Sequence, residues 1–99
     1  MADHVVHVFQ DSDGEFRVYP PVLIVKKAKS VKLVNHASEG LSWIVPAGPF
    51  GGILAEAVNS KQSSGDKTTV NDGATSYMVL MQSGKKAKGN SDPIIIIEP

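Results

Sequence analysis

Three histidines, His4, His7 and His36, are the only imidazoles in the chain, and there is no cysteine to set beside them. Any transition-metal chemistry must therefore be built from nitrogen. Once Met1 is removed, a step that the small Ala2 permits, the chain begins Ala2-Asp3-His4. A free amine, two deprotonated amides and an imidazole in third place form a square-planar nitrogen set suited to Cu(II) or Ni(II). His4 is thus one candidate metal ligand, set against the plainer expectation of a solvated terminus leading into a strand. His36 is the other, as an imidazole beside a loop. His4 and His7 are three apart, so on a strand they point to opposite faces and cannot chelate one ion together.

Other chemistries lack their parts. Asp11-Ser12-Asp13-Gly14-Glu15 has the look of a calcium loop, but Tyr19, Pro20 and Pro21 stand where later ligands should be. A hairpin turn is the better reading, because Asp-Gly between apolar runs supplies the positive φ that a tight turn needs. No nucleophile elbow, close carboxylate pair or His-Glu-x-x-His helix is present. Ser38, Glu39 and Ser42 lie near His36 in sequence, but their spacing does not make a triad. Gly48, Gly51 and Gly52 surround Pro49 and Phe50 and open no long helix, so no phosphate cradle is expected. The chain is read as a non-enzyme without catalytic residues or a cofactor.

Ninety-nine residues make a single domain, 1–99, large enough to bury a core without staples. Ten basic and ten acidic side chains cancel, so no global field recruits nucleic acid or an anionic membrane. The lysines cluster at Lys26, Lys27, Lys29 and Lys32 and again at Lys85, Lys86 and Lys88. With six aromatic residues, mostly inside apolar runs, these clusters read as solvated turns and protected edges. The expected partner is a protein or small ligand of unknown identity, and the chain a monomer or weak homodimer. Met1-Ala2-Asp3-His4 lacks the basic and apolar regions of a secretory signal, which points to the cytoplasm unless an export signal had already been removed.

The elements needed to position these groups are strands. Val31, Leu33 and Asn35 alternate with Lys32, Val34 and His36, the period of a half-buried strand. Ala37–Gly40 breaks it, and Leu41–Val45 resumes around Trp43, the only tryptophan and a natural core anchor. His4–Phe9, Phe16–Tyr19, Lys67–Val70 and Thr75–Met81 read as further strands, the last with both faces apolar as in a central strand. Val22–Val25 is continuously apolar, and Ile94–Ile97 reads as fully buried. Pro20-Pro21 marks an edge or a crossing between sheets. Ile53–Val58 is the one good helix-forming run. The sum is an all-β fold: an antiparallel Greek-key β-sandwich of about seven strands with at most one short helix.

A family resemblance follows from particular residues. Pro21-x-Leu23-x-Val25 and then Ser30-Val31-x-Leu33-x-Asn35 resemble the entry strands of cupredoxins. Gly73-Ala74-Thr75-Ser76-Tyr77 is similar to the segment that leads into that family's ligand cysteine, and the strand after Gly89 and Pro93 resembles its last strand. The resemblance implies a cupredoxin-like fold from about Val18 to Glu98. It also places the family's copper ligands near Leu41, Val79 and Gln82, none of which can bind copper as the family does.

The expected function is therefore a non-enzymatic binding module on a cupredoxin-like scaffold that has lost its blue-copper site, with nitrogen-based copper or nickel handling as the alternative. The loops on the former ligand side would carry it, with His36, Glu39, Trp43, Phe50, Gln82, Lys85 and Lys86 as the candidate surface, the last three in the Gln82–Lys88 loop. Phe50, between Gly-Pro and Gly-Gly, is either an exposed hydrophobic anchor or a plug folded over the end of the sandwich.

Overall fold

Val31, Leu33 and Asn35 point inward, while Ser30, Lys32 and Val34 are half exposed, as a strand with one buried face requires. The computed structural model describes residues 2–87 and 92–99. It is built from β1 (His4–Gln10), β2 (Phe16–Tyr19), β3 (Val22–Lys26), β4 (Ser30–Asn35), β5 (Leu41–Val45), β6 (Leu54–Val58), β7 (Lys67–Thr68), β8 (Gly73–Ser76), β9 (Met78–Met81) and β10 (Ile94–Glu98). One sheet has the order β2-β1-β4-β7; the others have the orders β3-β10-β8 and β6-β5-β9. Only Tyr77 separates β8 from β9, so the two smaller sheets share one chain path.

The inner faces meet in one hydrophobic core. Val6, Val8, Val18, Val31 and Leu33 come from the four-stranded sheet, and Leu23, Val25, Trp43, Val45, Val79, Met81, Ile95 and Ile97 from the other two. Burying each such aliphatic side chain stabilises the fold by about 1.5–3 kcal/mol. Trp43 is 1% exposed and meets Phe50 and Tyr77 edge-on, with ring centroids 6.0 and 6.4 Å away.

The all-β sandwich is as expected, with several local corrections. Ten strands form and no helix is present among the described residues. Ile53–Val58 is not helical: Leu54–Val58 pairs antiparallel with β5 along its whole length, from Val45↔Leu54 to Leu41↔Val58. A run this short cannot sustain an isolated helix, and the free edge of β5 offers it a full ladder of hydrogen bonds. Two pairings are parallel, β1 with β4 and β3 with β10, as crossovers between sheets allow. Val22–Val25 alternates: Leu23 and Val25 are buried, while Val22 and Ile24 are exposed. Ile94–Ile97 likewise buries only Ile95 and Ile97. Thr75–Met81 is broken at Tyr77, whose amide donates to the carbonyl of Pro93, and both halves lie at sheet edges. Lys67–Val70 shortens to Lys67–Thr68. Pro20-Pro21 does carry the chain from one sheet to the next, between β2 and β3.

Two polar clusters hold the connections. In the β1–β2 turn the Asp11 carboxylate accepts from the amides of Asp13 and Glu15 and from Arg17 Nε, while Gly14 takes φ +82°. The Arg17 hydrogen bond, helped by the two amides and opposed by desolvation, holds the Asp11 carboxyl below its ordinary value. Asp3 is lowered mainly by the amide of Ser30, which it accepts at 3.0 Å. At the end of β4, Asn35 is fully buried and its carboxamide donates to the carbonyls of Glu39, Val58 and Asn59 and accepts from the amide of Ala37.

Replacing Asn35 with leucine orphans the Ala37 amide and the Glu39 carbonyl in the interior. The expected loss is about 3 kcal/mol, or roughly 15 °C in Tm for a domain of this size, read by thermal unfolding. The lowered carboxyls fix the sign of the acid response. Their contribution is present above the ordinary carboxylate pKa of about 4 and is lost as pH falls through the depressed values. Asp11→Asn should therefore melt below the parent at pH 7, and the gap should close toward pH 2; a gap of constant size would contradict the assigned role of the carboxylate.

Candidate functional site

The register of the β5 ladder decides which loops meet. Leu41 faces Val58 on one side and Met81 on the other. The loops before Leu41, after Val58 and after Met81 are therefore brought to one end of the sandwich. Hydrogen bonds knit them together. Glu39 Oε1 accepts from the amide and the hydroxyl of Ser83, at 3.1 and 2.7 Å. Gln82 accepts from the amide of Gly40 through Oε1, and its own amide donates to the Gly40 carbonyl. Ser60 donates to the carbonyl of Ala37, and Lys61 Nζ to that of His36 at 2.6 Å. Asn35 joins the 37–39 turn to Val58 and Asn59 from the interior. The result is a polar loop end set by backbone-directed bonds.

The positions where a cupredoxin-type copper site would fall do not fit the metal. Leu41 is 3% exposed and Val79 0%, and both belong to the core. Gln82 turns its amide oxygen to Gly40. No thiolate exists anywhere in the chain to supply the soft donor of a blue-copper centre. Apolar packing fills the space a ligand set would need.

The candidate surface residues separate into two groups. His36, Glu39, Gln82, Lys85 and Lys86 do gather at the loop end. Lys85 and Lys86 follow a turn at Ser83-Gly84 and run back along β9, with the Lys85 carbonyl accepting from Met81 and Lys86 bridging to Leu80. Lys88 lies outside the described residues. Trp43 and Phe50 do not belong to this surface. Trp43 is buried by its place on the inner face of β5. Phe50 lies beyond Val45, at the far end of the β5–β6 hairpin from Gly40, and packs half-buried against the core. It is a plug, held by the Val70 amide on the carbonyl of Pro49 and the Asn71 side chain on that of Gly48.

His4 starts a strand, and the residue before it is tied down: the Asp3 amide donates to Ser30 Oγ and its carboxylate accepts from Ser30. A square-planar set at the terminus would have to deprotonate that Asp3 amide and give up its hydrogen bond. The pieces of a triad are likewise engaged elsewhere, Glu39 on Ser83 and His36 on another histidine. His36 Nε2 lies 2.9 Å from His7 Nδ1, with ring centroids 5.2 Å apart and planes inclined by 21°. The centroid separation accommodates the two ring radii plus the contact end to end, so the rings face one another nitrogen to nitrogen. His7 was invisible as a partner in sequence, because the pairing depends on the parallel β1–β4 register across 29 residues.

A cavity of about 170 Å³ opens on β9, lined mainly by Ile44, Pro46, Tyr77, Met78, Val79 and Pro93, with Lys86 and Asp92 among its polar neighbours. Tyr77 is 5% exposed, and its hydroxyl has no hydrogen-bond partner among the described residues. Burial raises the pKa of that phenol, so it stays neutral. Among the described residues that line the cavity there is no histidine and no pair of facing carboxylates for acid–base work.

No protein-family model matches the sequence, and no curated protein sequence does. Solved structures do match. An oxidised proline-to-glycine variant of amicyanin superposes with a TM-score of 0.64 at 19% identity, over 99% of this chain and 86% of that one. The Cu(I) form of a methionine-to-alanine variant of amicyanin gives 0.63 at 18% identity with the same coverage. A reduced Cu(I) proline-to-glycine variant at pH 4 gives 0.62 at 19% identity. At this identity the likeness is one of architecture: the chain has a cupredoxin-like fold, without the cysteine that a blue-copper centre requires.

Proposed function

We propose that this protein is a non-enzymatic binding module, a cupredoxin-like scaffold in which the former copper end serves as a recognition surface. The observation that carries this reading is the replacement of a ligand set by Leu41 and Val79 in the core and by Gln82 in the loop network. Electron transfer through a thiolate-bound copper has no donor here, while the end of the sandwich is kept rigid by bonds that no core requires. Rigidity of this kind lowers the ordering cost of binding.

Charge indicates the type of partner. Lys61, Lys85 and Lys86 are exposed at or beside this end, and the carboxylate of Glu39 is engaged with Ser83. A basic rim favours encounter with an acidic protein face and leaves that association sensitive to salt. Seen this way, the lysines steer association, and Gln82 and the backbone of the loops give it register. Nucleic acid is the less suitable partner, since among the described residues no exposed aromatic platform accompanies the lysines at this end.

Two measurements test the reading. A photo-crosslinking residue placed at Ser38 should give a discrete protein adduct in the native cell extract, and one placed at Ile53, at the opposite end of the β5–β6 hairpin, should not. Combining Lys85→Glu with Lys86→Glu should reduce the Ser38 adduct about tenfold or more, on the scale set by 1.4 kcal/mol per decade of affinity. Equal adducts from both ends, or an adduct indifferent to the charge reversal, would count against the loop end as the site.

A further inference from the structure

His7 and His36 meet on the outer surface of the four-stranded sheet, away from the Leu41, Val79 and Gln82 positions. His7 lies between Val6 and Val8 on β1, both buried, so its imidazole points outward. His36 follows directly on Asn35, the inward-facing last residue of β4, and is exposed. The parallel register sets Val8 against Asn35, and the amide of His36 continues the ladder by donating to the carbonyl of Val8 at 2.8 Å. The other side of His36 is anchored as well, since its carbonyl accepts from Lys61 Nζ. The backbones under both imidazoles are therefore held by the sheet before anything binds.

The separation of the nitrogens is the telling quantity. A divalent transition metal takes imidazole nitrogen at about 2.0–2.1 Å. Two such bonds meeting at between a right angle and the tetrahedral angle place their nitrogens roughly 2.8–3.4 Å apart. His7 Nδ1 and His36 Nε2 stand at 2.9 Å. The rings face one another along the N···N line, and a tilt of each by roughly 35–45° would turn the lone pairs onto one ion on the solvent side.

We propose that His7 and His36 are a two-imidazole chelate for a borderline divalent metal ion, Zn(II), Cu(II) or Ni(II), on the outer face of β1 and β4. In the metal-free protein one neutral ring donates its N–H to the other. Binding breaks that N–H···N bond: the donor ring shifts its proton to its distal nitrogen, and each ring then offers a lone pair to the metal. No proton leaves the pair, so the complex keeps the full charge of the ion. Among the described residues no third histidine, aspartate or glutamate joins the pair, so water completes the coordination shell. A neutral two-nitrogen donor set suits these metals over calcium or magnesium, which prefer carboxylate oxygen. The site shares His36 with the loop-end surface but does not rest on that reading: metal uptake and capture of a partner are separate readouts, and either one can fail alone.

Zinc is the probe, because a square-planar amine–amide set of the kind considered for Ala2-Asp3-His4 takes Cu(II) and Ni(II) rather than zinc. The expected result is one zinc per chain, a rise in Tm with zinc concentration as ligand linkage requires, and joint shifts of the His7 and His36 ring signals in NMR. His7→Ala and His36→Ala should each weaken zinc binding about tenfold or more, and His4→Ala should leave it unchanged. His36→Gln, which keeps side-chain bulk, provides the same comparison should an alanine variant not fold. Failure of the parent protein to take up zinc would overturn the proposal. So would uptake that survives the loss of His36, or uptake that vanishes with His4→Ala.

Discussion

A single buried carboxamide determines how this sandwich ends. Asn35 terminates β4 on the inner side, where the alternation of the strand would otherwise place a hydrocarbon. Three carbonyls converge on its amino group and one amide on its oxygen. These partners belong to the 37–39 turn, to the last residue of β6 and to the residue beyond it. One side chain thus ties the end of β4 to two segments, the 37–39 turn and the end of β6, that share no ladder with it. A buried polar group of this kind is expensive unless every atom is matched, and here both ends of the amide are. The turn that carries Glu39 and the end of β6 that leads to Ser60 cannot move off Asn35 without orphaning backbone groups in the interior.

Much of this was legible in the sequence. The alternation from Val31 to His36 gave the orientation of β4, and Leu41–Val45 the whole of β5 with Trp43 inside. The Asp11–Gly14 turn and the sheet crossing at Pro20-Pro21 followed from backbone chemistry. What escaped had a common cause. Leu54–Val58 has the composition of a helix, and only the unfilled edge of β5 makes it a strand. The exposure of Val22 and Ile24 depends on which face the second layer covers, and an apolar run alone does not reveal that. The approach of His7 to His36 depends on a parallel pairing, which leaves no short-range trace because its strands are joined by long crossovers.

A cupredoxin-like fold without a thiolate has to close its loop end by interactions other than copper ligation. In this chain Leu41 and Val79 are absorbed into the core, and the Gly40–Gln82 and Glu39–Ser83 bonds close the end above them. Trp43, flanked edge-on by Phe50 and Tyr77, gives the lower part of the sandwich a second, aromatic anchor. The protein is thus held at one end by amide hydrogen bonds and toward the other by ring packing.

The isoleucine strand β10 lies between β3 and β8, in the middle of its sheet. Ile94, Ile95, Ile96 and Ile97 pair with Val22, Leu23, Ile24 and Val25 on one side and with Ser76 through Gly73 on the other. Both edges of a highly amyloid-prone stretch are therefore occupied in the native state. Its partner β3, the exposed edge, ends in Lys26 and is entered through two prolines. The chain's resistance to self-assembly thus depends on how tightly β3 and β8 stay closed around β10, and an opening of that small sheet, well short of global unfolding, would suffice to expose a template for fibril growth.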